Sequence, residues 1–377
     1  MGSIRRTSVV AIVAGLMGSV CVLPVQASRD QHVPAAEPRC NSLSKGLRVV
    51  VIAPQGAVLS DTTDVNTFGL AVGSADGRAF ASAGGMRGSL LRMPREAGLQ
   101  VEVSAPKVND LGNIVAIRTA RDGGGEVSSS LLTWDLPTSR PKAVSPIWTS
   151  SAFGRTIRYS IDGLTRDRRA LVTREYANAV TISSLVSSNG TQFPLVSPWD
   201  RFEAKGVAED GTVTMHGTLG RAVPPGYEIS GSLLNRGGQL VYLPKLDPSV
   251  REYAGESAPA ISPKGDMVAG TSSGRPVWWD AKRSVHRMFN APRSFVPIEV
   301  NSCGWVIGEE TNGGGQVPGL WHRARYATLD ARLTNLPVGW RVCRATSLST
   351  VGVIGGSICP ISATDHRRLA VYLTPSM

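Results

Sequence analysis

Residues 270–274 read Gly-Thr-Ser-Ser-Gly. They fit G-x-S-x-G, the pattern that lifts a serine nucleophile onto a tight strand–turn–helix elbow. The match lacks that context. It falls between two apolar, strand-like stretches, and no helical periodicity follows it, so the expectation is a hairpin loop. The five histidines are His32, His216, His286, His322 and His366. They form no H-E-x-x-H or other local pair able to hold a metal. His216 and His286 fall inside strand-like stretches and His322 follows Trp321, so all three read as structural. Asn189 opens a glycosylation sequon by pattern and reads as a turn. No metal and no cofactor is expected.

The chain begins with a targeting pattern. Arg5 and Arg6 precede an apolar run from Val9 to Val25, and "VQA" at Val25–Ala27 is a small-residue cleavage site. The run is short for a membrane span of roughly 20 residues. We therefore expect a signal peptide over 1–27, a polar linker over 28–45, a repeat domain over 46–377 and no stable span after cleavage. The form of the signal points to a bacterium and to a secreted or periplasmic location. The net charge of +11 falls to +9 once Arg5 and Arg6 leave with the signal. That balance favours an anionic glycan or envelope component as partner. The basic clusters "TRDRR" (165–169) and "DHRR" (365–368) lack interleaved aromatics, which argues against nucleic acid.

Cleavage leaves four cysteines: Cys40, Cys303, Cys343 and Cys359. An even count in an exported chain predicts two disulfides, and no C-x-x-C spacing suggests zinc. Cys343 and Cys359 sit symmetrically about a hairpin near Val351 and are expected to pair. Cys40 with Cys303 is then the second bridge; Cys40 with Cys343 or Cys359 stays open.

What positions these groups is a repeat. The frame φ-x-x-x-G-x-φ-φ, with φ apolar, recurs as "VNTFGLAV", "VNDLGNIV", "VAEDGTVT", "ISPKGDMV", "VNSCGWVI" and "LSTVGVIG". A degraded seventh copy, "LTRDRRAL", has Arg168 in place of glycine. The turn residues are thus Gly69, Gly112, Arg168, Gly211, Gly265, Gly304 and Gly352. One strand ends on the apolar residue, polar residues turn the chain, glycine supplies a positive φ, and an apolar pair begins the return strand. Third strands ending in aromatics follow, such as "SLLTWD", "RPVWWD" and "VPGLWH". Fourth strands include "KAVSPIW" and "QLVYL". In the first unit, "SLLRM" (Ser89) is expected as the third strand and "LQVEV" (Leu99) as the fourth.

Four short antiparallel strands in about fifty residues make a β-propeller blade. The expected fold is all-β: seven four-stranded blades. The seventh unit stops at its third strand, and "LRVVVIAP" (Leu47–Pro54) is a spare strand at the other end. The N-terminal strand should therefore close the last blade.

The frame "VN-x-x-G-x-φ-V-G", clearest at Val65–Gly73 and Val300–Gly308, resembles the bacterial extracellular HAF repeat, although the His-Ala-Phe tripeptide is replaced by "LLTW", "PVWW" and "PGLW". The resemblance implies a secreted or envelope-associated, propeller-like protein and carries over no catalytic residues.

In such a ring the strand before each turn is innermost. Its charged residues near the turn, Asp64, Lys107, Lys205, Glu299 and Arg344, are expected to ring the channel and bind a polar ligand. The sequence favours an exported, non-catalytic binding or interaction scaffold. The alternative is a secreted hydrolase or lyase acting on a polysaccharide or other polymer at the channel mouth.

Overall fold

The structure, a computed structural model, describes residues 46–377 except 94–99, 123–124, 145–155, 177–180, 196–200, 220–228, 250–256, 314, 363 and 376–377. The expected signal peptide and linker lie outside the described residues.

The strands form seven four-stranded antiparallel sheets. Blade one holds β2 (Ser60–Val65), β3 (Leu70–Ala75), β4 (Arg78–Ala83) and β5 (Ser89–Leu90). Blade two holds β6 (Gln100–Val108), β7 (Ile114–Asp122), β8 (Gly125–Trp134) and β9 (Lys142–Val144). Blade three holds β10 (Thr156–Leu164), β11 (Ala170–Tyr176), β12 (Thr181–Val186) and β13 (Gln192–Pro194). Blade four holds β14 (Arg201–Val207), β15 (Val213–Leu219), β16 (Ile229–Arg236) and β17 (Gln239–Tyr242). Blade five holds β18 (Ser257–Ile261), β19 (Val268–Ser272), β20 (Arg275–Trp279) and β21 (Val285–Arg287). Blade six holds β22 (Phe295–Val300), β23 (Val306–Asn312), β24 (Gly315–His322) and β25 (Arg325–Thr328). Blade seven holds β26 (Trp340–Leu348), β27 (Ile354–Pro360) and β28 (Leu369–Pro375), with β1 (Leu47–Val51) as its outer strand. The first strands contact one another in blade order, and β26 meets β2, so the ring closes around a channel.

The N-terminal closure expected from the strand count is present. Leu47 pairs with Pro375 and Val51 with Val371. Blade one differs from expectation. Its third strand is β4, and Ser89–Leu90 is a two-residue fourth strand on Phe80 and Ala81. Gln100–Val103 of "LQVEV" instead open β6, the inner strand of blade two. The reason is length: Arg78–Ala83 follows a tight Asp76-Gly77 turn directly off β3, leaving the more apolar "SLLRM" only the blade's rim.

Blade faces bury against each other, as a ring of sheets requires. Between blades one and two, Val72 and Ala79 pack with Val108, Ile114 and Trp134. Between six and seven, Trp305, Ile307 and Leu320 pack with Val342, Ile354 and Leu373, and Leu47 of the closing strand joins them. The aromatic that ends several third strands has a polar duty as well. The indole N–H of Trp134 donates to the Arg92 carbonyl, that of Trp279 to Pro244 and that of Trp321 to Phe289, each in the segment leaving the preceding blade.

The frame's asparagine is an inter-blade clamp. The Oδ1 atoms of Asn66, Asn109 and Asn301 each accept two backbone N–H groups of their own turn, such as those of Phe68 and Leu70 for Asn66. Each Nδ2 donates to a carbonyl one blade on: Asn66 to Asn109, Asn109 to Thr165, Asn301 to Ser349. Thr165 and Ser349 hold only their own turns, through hydroxyls. The turn glycines lie at φ between 71° (Gly265) and 87° (Gly352). Arg168 occupies the same region at φ 69°, without glycine's freedom.

Candidate functional site

Every inner strand carries a register shift before its turn. The unpaired residues are Thr63 in β2, Asp162 in β10, Lys205 in β14, Ile298 in β22 and Thr346 in β26; in β6 and β18 the skipped pair ends on Pro106 and Pro259. These are β-bulges. Counted from the turn residue, each of the seven lies six positions back. A bulge sets two residues of one strand against one of its partner, so two consecutive side chains can reach toward the channel. Five of the bulge residues and six of the residues that follow them line one cavity of about 260 Å³ at the turn end of the channel.

Four of the five expected channel residues meet there. Asp64, Lys107 and Glu299 stand five positions before their turns and Lys205 stands at the bulge itself. Arg344 does not join them. It lies eight positions before Gly352, toward the other end of β26, and lines a second cavity. The structure adds Asp162, the bulge residue of blade three, and the turn residues Asp110, Arg166 and Glu209 at the mouth.

The carboxylates serve the wall as well as the cavity. An inner strand is a sheet edge, with unpaired backbone groups facing its neighbours. Asp64 Oδ2 accepts the Val108 N–H at 2.9 Å, one blade on. Glu299 Oε2 accepts the Leu348 N–H at 2.9 Å in the same relation. Lys107 Nζ returns a bond to the Thr63 carbonyl at 3.1 Å. The bulge hydroxyls add two more links: Thr63 donates to Pro106 and Thr346 to Thr62. Lys205 pairs with Glu203 at 3.1 Å. Asp110 accepts from both the N–H and the hydroxyl of Thr67.

Electrostatics follow from crowding acids in a narrow space. Loss of solvent, then the neighbouring Asp64, push the Glu299 carboxyl up to about 8; Lys107 opposes. Burial also raises Asp64 against the pull of Lys107 and two backbone N–H groups. Asp162 is raised by burial, with Thr173, Lys205 and Lys107 opposing. Glu209 is raised by burial and by Asp110. At neutral pH the cavity thus holds a protonated Glu299 among fixed cations, anions and backbone dipoles. It can grip a small polar molecule from several sides.

The other candidates take structural places. Ser273 and Gly274 of the G-x-S-x-G match form the turn between β19 and β20 at φ 53° and 65°, with strand rather than helix on both sides. His286 stacks on Trp278 and meets Asp280 at 3.0 Å. His322 stacks on Trp305, and burial lowers its pKa. Among the described residues, no group of three or more His, Cys, Asp or Glu is arranged to hold a metal, and no helix is long and apolar enough to cross a membrane.

The expected Cys343–Cys359 disulfide is absent: both are free thiols. The two are not direct cross-strand partners, because β26 bulges twice, and their thiols meet in a hydrogen bond rather than a covalent one. Cys343 is skipped in the pairing, and Cys359 faces Arg341. Cys40 lies outside the described residues, and with it the expected Cys40–Cys303 bridge. Cys303 itself occupies the blade-six turn, beside Thr350.

No protein-family model matches the sequence, and no curated protein does. The likeness to HAF repeats therefore rests on the motif alone. Among solved structures, the chain is similar to the β-propeller domain of the Trilobed protease from Pyrococcus furiosus. Identity is 10%, the TM-score is 0.51, and the match covers 87% of this chain and 93% of that one. The fold is a seven-bladed β-propeller. A puromycin hydrolase is similar at 13% identity and a TM-score of 0.46, covering 84% of this chain and 52% of that one. The tricorn protease is similar at 11% identity and a TM-score of 0.41 over 83% of this chain; the propeller spans 31% of that protease.

Proposed function

We propose that the protein is an exported, non-catalytic propeller that binds a small polar ligand, or the polar end of a larger one, at the turn-side mouth of its channel. Export rests on the N-terminal signal pattern, which the HAF-type motif supports. The observation that carries the binding reading is the convergence of Asp64, Lys107, Asp162, Lys205, Glu209 and Glu299, from five blades, on one cavity of about 260 Å³. The two innermost acids, Asp64 and Glu299, already hold backbone N–H groups of the next blade. They form a fixed polar wall, and Ser349, which also lines the cavity, has its hydroxyl oxygen engaged by the Val353 N–H of its own turn.

A thermal-shift screen tests this, with neutral sugars, sugar acids, amino acids and amines as probes. Ligands should raise the midpoint of the wild-type protein and fail to raise that of an Asp162→Asn, Lys205→Met double variant. Equal shifts in both proteins would place the ligand elsewhere and refute the reading.

One observation favours a polymer hydrolase or lyase instead. A carboxyl held near pKa 8, as Glu299 is, can act as a general acid. Turnover of a polysaccharide by the wild-type protein, lost in Glu299→Gln, would establish that alternative.

A further inference from the structure

The far end of β26 carries a second cavity, of about 280 Å³, that shares no residue with the channel mouth. Cys343 and Cys359 line it together with Arg344, His366, Arg367 and Arg368. Cys343 sits in the bulge between the Val342–Ile358 and Arg344–Ser357 pairs, and this brings its thiol to that of Cys359. Both are free and half-buried. The Cys343 Sγ also donates to the Ser357 carbonyl at 3.6 Å. Burial and the hydrogen bond with Cys359 push the Cys343 thiol up to about 12, so it waits in the protonated form.

The surrounding charge is positive. Arg367 is held by Asp365 at 2.6 Å, and Arg368 by Asp61 at 2.7 Å. Arg344 is the least committed cation: it stands 3.9 Å from Asp61 with 54% of its side chain exposed. A pair of touching thiols at the floor of an arginine-rich cavity suits a ligand that carries both negative charge and a reactive sulfur.

We propose that this cavity is a thiol–disulfide exchange site for a small anionic disulfide, with Cys359 attacking and Cys343 resolving. Cys359 gives its proton to water, and the thiolate attacks one sulfur of the bound disulfide. A mixed disulfide forms as the ligand's S–S bond breaks, and the first ligand thiolate leaves and takes a proton from water. Cys343 then loses its proton to solvent and attacks the Cys359 sulfur, expelling the second ligand thiolate, which takes a proton from water as the first did. Two protein thiols are oxidised and one disulfide is reduced to two thiols. Arg344 gathers the anion and holds its carboxylates. The product ties the inner strand of blade seven to β27 across the bulge, in the blade that closes the ring.

The test uses the folded, fully reduced protein with two oxidants: oxidised glutathione, which is anionic, and hydroxyethyl disulfide, which is neutral. Peptide mapping by mass spectrometry follows Cys343 and Cys359. The Cys343–Cys359 bond should form at least about tenfold faster, relative to each oxidant's rate with a free cysteine peptide, with the anionic disulfide. That preference should shrink with added salt in the wild-type protein and also in Arg344→Gln. Cys343→Ser should stop at a mixed disulfide on Cys359, and Cys359→Ser should leave Cys343 reduced. Equal relative rates with both oxidants, a first adduct on Cys343, or two unreacted thiols would overturn the proposal.

Discussion

The side-chain amide of Asn66 donates to the backbone carbonyl of Asn109, one blade away, at 3.0 Å. The same asparagine accepts two N–H groups of its own turn, and Asn109 repeats the arrangement toward Thr165. These contacts explain why "VN" precedes the glycine in the clearest copies of the repeat. Removing the side chain strands buried backbone groups on two blades. Asn66→Ala, Asn109→Ala and Asn301→Ala should each cost about 1–3 kcal/mol in chemical denaturation. Ser349→Ala, which loses only a turn contact, should cost less.

Arg168 adopts the backbone conformation that glycine supplies in the other six turns. Its ion pair with Asp135 is largely exposed and contributes little. Arg168→Gly should therefore stabilise the protein by about 0.5–1 kcal/mol, the relieved strain exceeding the added freedom of the unfolded chain. A lowered denaturation midpoint would contradict the strain argument.

Asn335 covers the outer edge of the closing strand. Its side chain accepts the Val49 N–H at 2.6 Å and donates to the Val49 carbonyl at 3.0 Å, as a fifth strand would. Asn335→Ala should speed amide hydrogen exchange at Val49 and leave exchange in blade three unchanged. Uniform exchange changes in both blades would show that β1 is not a local latch.

Glu299 makes stability depend on pH. Its folded pKa, about 8, lies above its ordinary value of 4.5. Below about 4.5 both folded and unfolded states carry the proton. From there to about 8 the unfolded chain releases it and the folded chain holds it, so stability falls as pH rises through that window. Asp64 and Lys107 are the charged groups that face it. In Glu299→Gln the amide oxygen can still accept the Leu348 N–H, but the proton linkage is gone. The variant should lose less stability than wild type between pH 5 and 8, and should exceed it by more than about 1 kcal/mol at pH 8. Parallel stability curves would contradict the raised pKa.

The turns and the ring closure were legible in the sequence because both depend on local signals. A positive φ calls for glycine, and an unpaired strand at each end of the repeat calls for the other. Asp64, Lys107 and Glu299 were legible for the same reason, at one fixed distance before the turn. The bulges were not. An inserted residue breaks the two-residue alternation of a strand, and nothing in "SIDGL" marks Asp162 as the extra one. A comparison of the seven frames would have shown Asp162 and Lys205 at the same position, one residue before the others. Arg344 misses the cavity because it stands eight positions before its turn where the others stand five or six, and the bulge at Cys343 replaces a symmetric cross-strand cysteine pair with a thiol–thiol hydrogen bond. The short strand Ser89–Leu90 was misplaced because apolar content exceeds what a blade's rim requires.

The central claim is that the bulged inner strands build a ligand site at the channel mouth. A crystal structure of the protein with the strongest ligand from the thermal-shift screen tests it most directly. The account predicts density inside the cavity, with polar atoms of the ligand within hydrogen-bonding distance of Asp162 and of Lys107 or Lys205. A ligand seated on the outer strands of a blade, with the channel mouth empty, would contradict it.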